Sequence, residues 1–137
     1  MSDFQRIAWD PIYSVQVKTI DAQHQELFSI VNQLIDLHES GSADMYPVFK
    51  RLVDYLSRHF HAEQMHMKQM KYPMIGLHIQ EHTAFTEKIQ EFLGRYQEGD
   101  RELSRKMLVF LSDWVFSHTT NVDIKYAAFS RRNPLNG

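Results

Sequence analysis

Residues 59–82 read HFHAEQMHMKQMKYPMIGLHIQEH, and this stretch decides the fold. His59 follows Leu56 by three positions and Glu63 follows His59 by four, which places an imidazole and a carboxylate one turn apart on the face that a helix would bury. Tyr72-Pro73 then interrupts the pattern. Beyond the break, His78 and His82 are again four apart and lead directly into Phe85 and Ile89. Two helical segments meeting at a proline turn, each with metal-ligand residue types on its apolar face, describe a hairpin built around a polar site.

Working outward, turn-forming residues are few: Pro11, Ser40-Gly41-Ser42, Tyr72-Pro73 with Gly76, Glu98-Gly99-Asp100 and Asn133-Pro134. They leave four long segments, 20–39, 43–70, 74–97 and 101–129, each with apolar residues at helical spacing and no proline that breaks the stripe. The stripes are Leu27, Phe28, Val31, Leu34 and Ile35; Phe49, Leu52, Val53, Leu56 and Phe60; Phe85, Ile89, Phe92, Leu93 and Tyr96; Leu103, Met107, Phe110, Leu111 and Trp114. Segments about 30 to 43 Å long with short connections predict an all-α, up-down-up-down antiparallel four-helix bundle. The expected organisation is one domain over 1–137: an extended N-terminal arm at 1–19, the bundle at 20–129 and a C-terminal tail at 130–137.

Composition agrees with one globular domain. The chain of 137 residues has no cysteine, so a disulfide framework is excluded, and 43% apolar content with 17 aromatic residues suffices for one core that needs no metal merely to fold. Fifteen basic and 17 acidic side chains, in no long block, offer no footprint for nucleic acid or anionic lipid. The longest plain apolar run, Met107 to Leu111, cannot insert across a membrane. MSDFQRIAWDPIYSVQV has neither the basic nor the apolar region of a leader, so a cytoplasmic, soluble protein is expected.

The eight histidines are the anomaly. His24 precedes Leu27 and Phe28 by three and four, and His118 follows Trp114 by four, so both join His59, His78 and His82 on core faces. Measured from Gly41, His24 is 17 residues back while His59 and Glu63 are 18 and 22 forward; measured from Gly99, His82 and His78 are 17 and 21 back and His118 is 19 forward. Equal arms in an antiparallel bundle bring all six to one level, with Asp123, 24 beyond Gly99, at the same height. His118 and Asp123 are five apart, about 140° of rotation in a regular α-helix, so a π-type widening between about 117 and 124 is predicted.

One inward histidine is most often a hydrogen-bonded core residue. Five imidazoles and two carboxylates at one depth are different, because each would need its own partner in an apolar shell, whereas metal accepts all their lone pairs. Seven ligands exceed a tetrahedral zinc site, and the mixed donor set suits iron or another first-row ion. Two six-coordinate ions have about twelve positions; five histidines, two bridging carboxylates and one solvent-derived oxygen bridge fill eleven and leave one open.

The spacing H-x34-H-F-x2-E-x14-H-x3-H-x35-H-x4-D, together with Ile20-Asp21-Ala22-Gln23-His24 and Met67-x4-Tyr72-Pro73, resembles the hemerythrin family from Trp9 to Asp123. The small muscle member of that family is itself a standard up-down four-helix bundle. The resemblance implies two Fe ions in an oxo- or hydroxo-bridged di-iron centre: His78, His82 and His118 on one, His24 and His59 on the other, Glu63 and Asp123 bridging. It further implies reversible O2 binding for transport or storage, with O2 end-on at the vacancy as a hydroperoxide, rather than enzymatic turnover. Leu27, Phe60 and Trp114 match the family's pocket positions, and Thr119 replaces a usual apolar residue there. A monomer is expected, with an O2-consuming enzyme as a possible recipient.

Two other readings stand beside it. The first is an O2- or NO-sensing module acting through a separate partner. The second is a ferritin-like iron oxidase, because Glu63-Gln64-Met65-His66 reads E-x-x-H; that fold uses two such pairs, and no second is present here. His66 is therefore read as an outer residue, with His38 and His61 at the surface.

Overall fold

The computed structural model describes residues 8, 14, 18–42, 44–118 and 123–132. The apolar stripes become helices α1 (Lys18–Ser40), α2 (Tyr46–Tyr55), α3 (His61–Met70), α4 (Ile75–Gln97), α5 (Leu103–Ser117) and α6 (Asp123–Arg132). A π-helical turn over Leu56–Phe60 joins α2 and α3 into one rod. The result is the expected all-α bundle, with α1 packed on α2 and α5, and α4 packed on α3 and α5.

Three helices end by the same device. The amides of Ser42, Tyr72 and Asp100 reach back to the carbonyls of Leu37, Met67 and Arg95 at 3.0–3.2 Å, a six-residue closure that needs a left-handed residue inside it. Gly41 and Gly99 supply it at φ 71° and 80°, and Lys71 does so at φ 58° without the glycine advantage. Each closure reverses the chain and so makes the next rod antiparallel.

The second rod departs from the sequence reading, which assumed a regular α-helix through 43–70. Ser57 Oγ donates to the Val53 carbonyl at 3.0 Å, a side-chain bond that competes with the backbone ladder where it widens. Val53, placed in the core stripe by periodicity, is exposed, while Phe49, Leu52 and Phe60 are buried. In the last rod α5 runs to Ser117, His118 carries the π-type pattern and α6 runs from Asp123. Of the stretch 117–124 in which a widening is expected, 119–122 lie outside the described residues. The extended arm at 1–19 lies almost wholly outside them too, and α6 runs on into the expected tail as far as Arg132.

The core is split in two. A large cluster includes Leu27, Phe60, Phe85 and Trp114, and a smaller one holds Ile20, Met67, Met70, Tyr72, Tyr126 and Ala127. On every rod the buried polar residues lie between them in sequence: His24 between Ile20 and Leu27, Glu63 between Phe60 and Met67, His78 and His82 between Ile75 and Phe85, His118 between Trp114 and Tyr126. A polar layer therefore crosses the bundle between two hydrophobic cores.

Candidate metal centre

Each rod contributes to that layer. α3 supplies Glu63, α4 supplies His78 and His82 one turn apart, and His118 stands just past the end of α5. Glu63, His78, His82 and His118 are all buried, and one ligand atom from each lies within 4.8 Å of the others. The three rings face one another at centroid separations of 4.7, 5.1 and 5.5 Å, two pairs edge to face. Glu63 Oε2 sits 3.1 Å from His82 Nε2 and 3.6 Å from His78 Nε2.

The chemistry of this set fits a cation. His82 Nε2 is buried and, although 3.1 Å from the carboxylate, is off the line of a hydrogen bond. Burial holds the His82 imidazole below its usual pKa, opposed by Glu63. A neutral imidazole keeps the lone pair that a metal requires. The Gln64 amide nitrogen lies 3.1 Å from His82 Nδ1, and Nε2 is the ring nitrogen that faces Glu63. Three imidazoles and a carboxylate suit iron and other first-row ions.

Aromatic rings wall the layer on one side. Phe60 stacks on His82 at 3.7 Å and 3°, and Trp114 stacks on His118 at 4.1 Å and 12°. Leu27 is fully buried in the same core. Of the four expected pocket residues, Phe60 and Trp114 lie against the cluster, Leu27 is buried in the core that holds them, and Thr119 lies outside the described residues.

The remaining expected ligands are placed differently. His24 is buried on α1. His59 falls on the π-turn, 19% exposed, and its Nε2 donates to Glu26 Oε2 at 2.5 Å; it is not one of the clustered four. Asp123 opens α6, and its side chain lies outside the described residues. Among the other histidines, His66 Nδ1 shares a 2.5 Å hydrogen bond with the Tyr126 hydroxyl, His61 is exposed, and His38 is half-buried against Ser104 Oγ at 2.7 Å. The Glu26 and Tyr126 partnerships had no signal in spacing, because each joins residues on rods distant in sequence.

A helical bundle carrying a buried histidine–carboxylate layer has the donor set of a metal-binding protein. The hemerythrin HHE cation binding domain model matches residues 15–128, and the chain belongs to the hemerythrin family. Its relatives include the bacteriohemerythrin of Stenotrophomonas maltophilia, 29% identical over 122 residues that cover 88% of this chain and 79% of the relative. The bacteriohemerythrins of Pseudomonas aeruginosa and Campylobacter jejuni are 28% and 26% identical, covering 88% of this chain and 78% and 92% of those proteins. No helix among the described residues is long and apolar enough to cross a membrane.

Proposed function

We propose that this protein binds dioxygen reversibly at a non-haem di-iron centre. The observation that carries the reading is the convergence of Glu63, His78, His82 and His118 in a buried layer of a hemerythrin-family bundle. His78, His82 and His118 would hold one iron, His24 and His59 the second, and Glu63 and Asp123 would bridge the pair. A reduced iron pair supplies electrons that dioxygen can take up and return.

The chain's own residues supply the surroundings. Phe60, Trp114 and Leu27 exclude water from the layer, and dryness favours return of oxygen over irreversible oxidation. The stacked rings also fix the orientations of His82 and His118, so the nitrogen lone pairs converge before any ion arrives. His66 bonds Tyr126 instead of joining the cluster, which counts against the ferritin-like reading of E-x-x-H.

The test is optical. Iron-loaded protein, reduced without oxygen and then exposed to it, is expected to gain a visible charge-transfer band that fades under argon and returns with oxygen. A site that bleaches after one exposure supports the oxidase reading instead.

A further inference from the structure

The two halves of the centre are not equally assembled. Glu63, His78, His82 and His118 converge in the buried layer. His59 stands at the rim, and its Nε2 donates to Glu26 Oε2. Glu26 is not loose either: Arg58 bonds it at 3.4 Å and bonds Asp54 at 2.7 Å. Asp54, Arg58, Glu26 and His59 therefore form one polar chain linking α1, the end of α2 and the π-turn. Tyr55 lies against the His59 ring at 4.6 Å and confines it further. A ring nitrogen that donates to a carboxylate cannot at the same time offer its lone pair to a metal.

We infer that the centre fills one ion at a time: the first enters the Glu63–His78–His82–His118 cluster as it stands, and the second follows only when His59 exchanges Glu26 for metal. The inference rests on the paired-iron reading above. In the exchange one N–H···O bond breaks, one metal–nitrogen bond forms and the Nε2 proton passes through solvent to Nδ1, with no change of oxidation state. Glu26 is a positioning residue here. It touches neither ion and sets how easily the second site closes.

Anaerobic titration of the metal-free, full-length protein with Co2+, followed by its visible ligand-field bands, tests this. The wild type is expected to show a tight step ending at one equivalent and a separate, weaker step ending at two. Glu26→Gln leaves the first step in place and tightens the second roughly tenfold, the scale of one hydrogen bond to a charged group. His59→Ala stops at one equivalent. A single step ending at two equivalents in the wild type, or a second step left unchanged or weakened by Glu26→Gln, overturns the inference while preserving the paired-metal reading. Saturation at one equivalent with excess metal overturns that reading itself.

Discussion

His82 concentrates the logic of the site in one side chain. It is buried, stacked on Phe60, braced by Gln64 at Nδ1 and faced by Glu63 at Nε2. Burial lowers its pKa, so the folded chain resists a proton that the unfolded chain accepts below about pH 6.5. Its contribution to the stability of the metal-free protein is therefore complete above about pH 6.5 and declines as the pH falls below it. Urea unfolding of metal-free protein at pH 7.5 and 5.5 is expected to give the lower midpoint at pH 5.5, and His82→Asn to shrink the difference. Thr119 carries the second prediction at this scale. A hydroxyl beside the oxygen pocket would supply a proton donor that an isoleucine lacks, so Thr119→Ile is expected to slow the decay of the oxygenated protein, read from its visible band. An unchanged decay rate would remove Thr119 from the pocket.

Helices set what these residues can reach. Spacing located every rod to within a few residues, because 3.6-residue periodicity and glycine-closed ends are local properties of the chain. The π-turn at Leu56–Phe60 was not legible, since it depends on how Ser57 and the packing around it resolve a misfit in the second rod. His59, expected on the core face with Glu63, lies on this turn, 19% exposed and paired with Glu26. The Tyr126–His66 bond, which ties α6 to α3, is equally non-local. Tyr126→Phe removes one hydrogen bond whose other partner is half-buried and open to water, so a loss of about 1 kcal/mol is expected. Amide hydrogen exchange should show the loss first in α6.

At the scale of the molecule, a buried polar layer separates two hydrophobic cores, and burying polar groups costs more stability than burying apolar ones. The apolar clusters on both sides are expected to keep the bundle helical without metal. Chelation is therefore expected to leave the far-ultraviolet helical signal largely intact and to lower the thermal midpoint by several degrees. A metal at a thousand times its dissociation constant adds about 4 kcal/mol to a folded state that alone binds it. Equal midpoints with and without metal would mean that the layer is satisfied by protein groups alone.

The sequence by itself determined the four rods, their antiparallel order and the common height of the ligand candidates, because each follows from local periodicity and from counting residues to a turn. It also distinguished the hemerythrin spacing from a zinc motif. Only the tertiary structure decided which candidates converge, since convergence depends on the rotation of each rod about its own axis. His59 lies on a widened turn and pairs with Glu26 instead of joining the four clustered residues, and no count of residues to a turn registers that orientation.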